Sequence, residues 1–424
     1  MTRSIPDLSV VRRQFPALQQ TGPRGRPYVF LDGPGGTQVP QVVIDAMSDY
    51  LIRANANSHG LYETSRRTDE TIETARQAMA DFLNAPSYHE IVFGPNMTTL
   101  TFNISRAIGR RLGPGDEIVV TRLDHDANIV PWLALEERGA VVRWADIDPA
   151  DCTLDMAGLE RLITERTRLV AVGYASNAVG TVNDVRRIGE LAHRVGAWIY
   201  VDAVHYAPHA PIDVQAIDCD FLVCSAYKFF GPHMGVLYGR YALLYGLPAY
   251  KVRAAGDRPP DKFETGTKNH EGLAGVSAAV NYLSDLGARL GEPFADQYPG
   301  LTGRRLQLKA AMTAIRAYER PLIERLLAGL SAIPGVTIYG ITDAARFDRR
   351  VPTAAFRMRT HTPAQVAERL DQAGIFVWDG NFYAPAVTQR LDVEDHGGLV
   401  RVGIAHYNTA AEIDRLLDTL RAMD

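Results

Sequence analysis

The sequence predicts an α/β protein, with a large domain on a mainly parallel, doubly wound sheet and a smaller α+β domain at the C-terminus. Three observations carry this expectation. From about residue 28 to residue 238, short β-branched or apolar runs alternate with amphipathic helical stretches, as in strands that return to one sheet through helical crossovers. Beyond about residue 290 the order changes to strand, strand, helix, strand, strand, helix. The 424 residues, 46% of them apolar, suffice to fill two cores. The expected organisation is an N-terminal segment over 1–27, a large domain over 28–290, and a linker helix with the small domain over 291–424.

Within the large domain, strands are expected at 90–93, 117–121, 140–144, 169–174, 198–202, 221–225 and 235–238. Helices are expected at 70–83, 99–112, 130–138, 156–163 and 185–195. Residues 250–272 are polar and rich in Gly and Pro, and read as a long loop. A helical stretch over 306–330 follows, with Pro321 opening a second segment. The small domain then offers strands at 336–339, 354–358, 376–378 and 399–404, and helices at 363–373 and 410–423.

Composition excludes several functions. A net charge of -4 and the lack of a basic stripe with interleaved aromatics argue against nucleic-acid binding. No apolar run approaches membrane-spanning length, and residues 1–15 lack the apolar core of a signal peptide, so no membrane association and a cytoplasmic location are expected. Cys152, Cys219 and Cys224 have no CxxC spacing, which argues against a disulfide framework or a zinc site, and no metal is expected.

Lysine is scarce. It occurs only at positions 228, 251, 262, 268 and 309, so that forty of the 45 basic residues are arginine. A guanidinium stays protonated and forms no imine, whereas a lysine amine can be tuned to react. Lys228, alone in the first 250 residues, therefore calls for a chemical explanation or is a leftover surface charge.

Its neighbourhood supplies one. The apolar run 198–202 ends in Asp202, and the buried run 221–225 is followed at once by Ala226, Tyr227 and Lys228. If both strands are parallel neighbours, Asp202 and Lys228 emerge at one sheet edge, where ligands of such folds bind. A carboxylate and an imine-capable amine are what pyridoxal 5′-phosphate (PLP) requires. The amine takes the aldehyde, and the carboxylate keeps the pyridine nitrogen protonated so that the ring draws electrons from the substrate Cα. A partly buried salt bridge would share the spacing, which does not separate the two.

The phosphate needs donors. The strand 90–93 is followed by Gly94, Pro95 and Asn96, and then by a helix opening with Met97, Thr98 and Thr99; such a start offers free N–H groups and hydroxyls. It is neither a P-loop nor GxGxxG, so nucleotide binding is not expected. The run Gly33, Pro34, Gly35, Gly36, Thr37 reads as a flexible loop at the edge of the site. His125, just past the strand 117–121, is either a capped surface residue or a flat ring to stack on an aromatic ligand. Asn177, past the strand 169–174, can donate to a ring oxygen.

Several runs together resemble the class V aminotransferases and, within them, the cysteine desulfurase-like group. They are Asp202 with His205, Ser225 and Lys228 with Gly231 and Pro232, and Asp124 and His125 with Ala127 to Trp132. Ser176 and Asn177 with Gly180 and Thr181, residues 263–267, and Arg401 before Tyr407, Asn408 and Thr409 complete the set. The resemblance covers the chain from about residue 28 to its end, and implies the type I fold of PLP-dependent transferases. It implies Lys228 as the Schiff-base lysine, Asp202 as the partner of the ring nitrogen and His125 as the ring stacked on the cofactor. Asn177 and His205 would approach the phenolic oxygen. Met97 (backbone), Thr98, Ser225 and Tyr227 would hold the phosphate, with Thr267 given by the other subunit of a homodimer. Arg401 would clamp the carboxylate of a small amino-acid substrate. Tyr227 and His205 depart from the histidine and glutamine of the desulfurases.

The departure with most consequence is a missing thiol. Desulfurases carry a nucleophilic cysteine on a loop that corresponds here to 377–384, with Tyr383 near its place. A phenol forms no persulfide, so an ordinary sulfur relay is not expected. The expected reaction is β-elimination of a sulfur leaving group from a cysteine-derived amino acid, with Lys228 as base at Cα and Tyr383 at the substrate. Aminotransferase, epimerase and decarboxylating deaminase remain alternatives. A non-enzymatic PLP-fold binding or regulatory module is a further one, against which the joint presence of Lys228, Asp202 and Arg401 argues.

Overall fold

The computed structural model describes residues 9–22 and 25–423; parts of the expected N-terminal segment, residues 1–8 and 23–24, lie outside the described residues. Seven strands form the central sheet: β1 (Ile91–Gly94), β2 (Glu117–Thr121), β3 (Val141–Ala145), β4 (Thr167–Gly173), β5 (Trp198–Asp202), β6 (Phe221–Ser225) and β7 (Gly235–Gly239). Their order is β1-β7-β6-β5-β4-β2-β3. All neighbours are parallel except β7, which runs antiparallel to both β1 and β6. Such strands are covered on both faces, which is why they read as continuous apolar runs; every residue of β2, β6 and β7 is buried.

The register decides what meets at the sheet edge. Gly235 at the start of β7 pairs with both Gly94 and Ser225, the last residues of β1 and β6. The reversed strand thus brings the turn after β1 beside the turn after β6. Gly235 has to be glycine, because a Cβ there would lie 2.3 Å from the carbonyl carbon of Asn96.

Helix α1 (Gln41–Arg53), α2 (Glu63–Leu83), α3 (Met97–Gly109), α4 (His270–Leu290) and α5 (Gly303–Ser331) are the longer helices of the large half, and α4 packs against α1, α2 and α5. The sequence expectation included neither α1 nor α4. Asn269 caps α4 by accepting a hydrogen bond from Gly272 N–H, so the helix begins inside the stretch read as loop. Pro321 does not open a second segment, since α5 runs through it unbroken. A proline removes one helical hydrogen bond. The buried row Leu322, Ile323, Leu326, Leu327 and Leu330, packed into the C-terminal core, outweighs that loss.

The C-terminal sheet contains β8 (Val336–Tyr339), β9 (Thr353–Met358), β10 (Trp378–Gly380) and β11 (Leu399–Gly403) in the order β8-β9-β11-β10, all antiparallel. The single strand expected at 376–378 is two. Ile375–Phe376 pairs in parallel with Val29–Phe30, and Trp378–Gly380 joins the small sheet. Val29 and Leu31 therefore sit in the same apolar cluster as Val400 and Val402. Among the described residues no helix is long and apolar enough to cross a membrane.

Candidate active site

A cavity of about 920 Å³ lies at the carboxyl edge of the central sheet and extends to the small sheet. Met97, Thr98, His125, Asn177, Asp202, His205, Ser225, Tyr227, Lys228, Tyr383 and Arg401 all face it. Of the residues singled out in the sequence, Thr267 alone is elsewhere. It is exposed on a loop anchored by the buried Glu264, which accepts from Phe93 N–H at 2.9 Å and pairs with Arg76 and with Lys268 at 3.2 Å.

Asp202 ends β5 with its Oδ1 accepting from Val204 N–H at 2.9 Å. Burial raises its carboxyl to about 6, against the pull of that hydrogen bond and of the Lys228 charge. Lys228 leaves β6 on a single helical turn, 9% exposed. Burial lowers its amine to about 7, helped by Arg401 and opposed by Asp202 and Asp32. A buried lysine depressed this far is in good part neutral near pH 7, the state in which an amine condenses with an aldehyde.

Lys228 Nζ donates to the Pro34 carbonyl. The turn Gly33–Gly35 is therefore part of the site and held in place, not a flexible loop. Thr37 N–H donates to Tyr227 C=O at 3.0 Å, and Phe230 N–H donates to Thr37 Oγ1 at 2.9 Å. A Cβ on Gly403 would come within 1.9 Å of Pro34 Cδ, so only glycine lets β11 and this turn touch.

At the opposite wall, Asn96 Oδ1 caps α3 by accepting from Thr99 N–H at 2.8 Å. Met97 N–H donates to Ser225 Oγ at 3.2 Å, which joins the helix start to the turn that carries Lys228. N–H groups and hydroxyls here can bind an anion. Tyr227 stacks on His233, centroids 5.2 Å apart, and burial raises its phenol.

His125 accepts from Ala127 N–H at its Nδ1 (2.9 Å), which leaves the Nε2 edge as the protonated one. Burial, reinforced by Lys228 and Arg401, pushes the ring down to about 4, so it is neutral. The loop beneath it rests on Asp124, which accepts from Thr121 and from Asn128 (3.0 Å). His205, also held neutral by burial, contacts Thr353 Oγ1 at 2.9 Å through Nε2.

The small domain contributes Arg401, on β11. One guanidinium nitrogen donates to the Asn177 carbonyl at 2.9 Å, and the group lies 4.3 Å from the Phe382 ring centroid. Among the described residues its Nε has no partner, and neither does Asn177 Oδ1. Asp32 was not singled out in the sequence. Its carboxyl is raised by burial to about 6 and feels the charges of Arg401 and Lys228, and its Oδ1 is buried without a partner among the described residues. The only sequence signal for it was the glycine-rich run that follows. Trp378, at the mouth, was likewise missed.

The loop after β10 carries Tyr383 and no cysteine. Phe382 and Tyr383 have φ of 58° and 57°, both in the left-handed region. Asn177 Nδ2 donates to Phe382 C=O at 2.8 Å and Asp126 N–H donates to Tyr383 C=O at 2.7 Å. The Tyr383 ring stacks toward His125, with centroids 5.7 Å apart. Cys152, Cys219 and Cys224 are buried free thiols that do not line the cavity, and burial pushes Cys152 up to about 12 and the other two upward as well. All five lysines are shielded: 228, 262 and 309 are buried, and the side chains of 251 and 268 are 18% and 16% exposed.

These groups fit PLP: an acid for the ring nitrogen, a neutral amine, a flat neutral ring, an anion site, and an unsatisfied guanidinium for a carboxylate. The family model for aminotransferase class V matches residues 29–292 and 302–416. The chain is 35% identical over 430 residues to a probable cysteine desulfurase of Mycolicibacterium paratuberculosis; the match covers 98% of this chain but 58% of that protein's length. It is 34% identical over 427 residues to a cysteine desulfurase of Serratia proteamaculans, with 97% of each chain covered. The apo structure of a cysteine desulfurase from Thermococcus onnurineus superposes with a TM-score of 0.85 at 26% identity, covering 100% of this chain and 98% of that one. Fold and site define a PLP-dependent enzyme. The chain belongs to the class V aminotransferase family.

Proposed function

We propose that the protein is a C–S β-lyase acting on a cysteine-derived L-amino acid. The observation that carries this reading is the mouth of the cavity, where Tyr383 stands on the loop and no thiol is within the site. The relatives named cysteine desulfurases support a sulfur amino acid as substrate. Without a cysteine to accept it, the sulfur has to leave bound to its own substituent.

In this reading Arg401 binds the substrate carboxylate, its unpartnered Nε giving the second donor. Lys228 takes the proton from Cα and Asp202 holds the proton on the ring nitrogen. PLP, when bound, supplies the electron sink for the Cα–H bond to ionise. His125 would cover one face of the cofactor, and Asn177 and His205 would lie toward its phenolic oxygen. Met97 N–H, Thr98, Ser225 and Tyr227 would hold the phosphate, with Thr267 supplied from a second copy in a homodimer. The test is incubation of the holoenzyme with S-substituted cysteines and ordinary amino acids. Pyruvate with an equimolar thiol supports the reading; a keto acid retaining the side chain, CO2 or a D-amino acid in their place overturns it.

A further inference from the structure

The cavity has to hold PLP as well as a substrate, and its outer part has a chemistry of its own. Trp378 and Tyr383 both face it while being 50% and 75% exposed. Isolated exposed aromatics are ordinary, but two that line the mouth of one largely apolar cavity are suited to a ligand's ring. Neither is loosely held. The Trp378 indole packs so closely on Gly35 that a Cβ there would lie 2.3 Å from Nε1. Tyr383 is the second of two consecutive left-handed positions, a strained arrangement for side-chain-bearing residues that persists where surrounding bonds enforce it. Those bonds come from Asn177 and Asp126 of the large domain and from Asn381, whose Nδ2 donates to Glu394 at 2.8 Å.

Charge narrows the choice of ligand. Besides Asp124 and Asp202, three carboxyl groups, Asp126, Asp379 and Glu394, line the cavity. The lining cations, Lys228 and Arg401, are both buried, and the two lining histidines are neutral. Among the described residues of this chain, a second carboxylate on the ligand would meet these acids and no free cation.

We propose that this mouth is a subsite for a flat, neutral aromatic group on the substrate sulfur, held against Trp378 and Tyr383, and that substrates with a second carboxylate are rejected. The inference rests on the β-lyase reading for its reaction. The Cα proton passes to Lys228, the Cβ–S bond breaks with its electron pair on sulfur, and the thiol leaves. Addition of one water to the remaining three-carbon fragment gives pyruvate and ammonia.

The experiment compares S-methyl-, S-benzyl- and S-carboxymethyl-L-cysteine as substrates of the holoenzyme, following pyruvate. Expected is a kcat/KM for the benzyl compound about tenfold or more above the methyl one, from partial burial of the ring, and for the carboxymethyl compound about tenfold below it. Trp378→Ala and Tyr383→Ala should each bring the benzyl-to-methyl ratio toward one. Calorimetry supplies a readout independent of turnover, using L-2-amino-5-phenylpentanoate, in which CH2 replaces the sulfur. It should bind more tightly than L-alanine, and the two variants should lose that advantage. Equal kcat/KM for methyl and benzyl substrates overturns the subsite and leaves the β-lyase reading intact. Pyruvate from none of the three overturns the lyase reading, and the calorimetric preference then decides the aromatic subsite alone.

Discussion

At the floor of the cavity, Asp202, Ser225 and Lys228 ride on the ends of parallel strands that are almost entirely buried. At the mouth, Trp378, Phe382 and Tyr383 sit on a short edge strand and a loop in left-handed conformation, held by hydrogen bonds from residues two hundred or more positions away. The floor is positioned by apolar packing and sheet register, which tolerate little movement. The mouth is positioned by a few polar contacts, which give way one at a time. On the proposed reading, the difference teaches that the step at Cα and the choice of side chain would be carried by parts of the protein that can change separately.

The comparison can be broken most forcefully at the floor. Lys228→Ala is expected to lower kcat by about 10²–10⁴-fold, the usual contribution of a positioned acid–base group. Borohydride reduction of the holoenzyme should fix the chromophore on the peptide containing residue 228; a label on another peptide would remove Lys228 from the mechanism.

The charge state of the floor gives a second prediction. In cofactor-free protein the Lys228 amine, lowered to about 7, binds fewer protons when folded than when unfolded at higher pH. Stability should therefore rise with pH between about 7 and the ordinary lysine range. Asp202 and Asp32, both raised to about 6, bind more protons when folded and so contribute a fall in stability as pH rises from about 4 to 6, which the buried neutral ring of His125, lowered to about 4, opposes. Denaturant titrations of wild type and Lys228→Met across these windows measure both slopes. An unchanged upper slope in Lys228→Met would place the responsible group elsewhere.

Gly403→Ala tests the seam between floor and mouth. The new methyl would drive into Pro34 and displace the turn that holds Lys228, at a cost of about 1–3 kcal/mol in urea unfolding. The smallest effect is expected at the rim. Asn381→Ala removes its bonds to Glu394 and to Tyr383 N–H, and should cost about 1 kcal/mol, with KM rising more than kcat falls. A loss in kcat comparable to that of Lys228→Ala would show that the loop and the floor act as one unit.

The floor was legible in the sequence because its causes are local. Strands 198–202 and 221–225 are apolar runs that stop at Asp202 and Ser225, and both occur with the expected limits. The mouth was less legible. Tyr383 was assigned there by resemblance, but nothing local announces left-handed backbone at Phe382, or that Trp378 would lean on Gly35. The glycine-rich turn at 33–37 was read as flexible because its restraints, Tyr227, Phe230 and Gly403, lie far along the chain. Helix α4 was missed because its first turn, with a histidine and a glycine, looks like the loop before it. Pro321 misled for the opposite reason: a strong local signal was overruled by the packing of α5.

The shielding of all five lysines has a practical meaning. Free pyridoxal phosphate condenses with whatever primary amines a protein presents, and this surface bears its positive charge almost wholly as guanidinium. Of the lysine side chains, the one that opens onto the large cavity is the one whose modification matters. Reagents that couple proteins through lysine, such as amine-directed cross-linkers and fluorophores, should therefore label this enzyme sparingly, and pre-loading the cofactor should make it nearly inert to them.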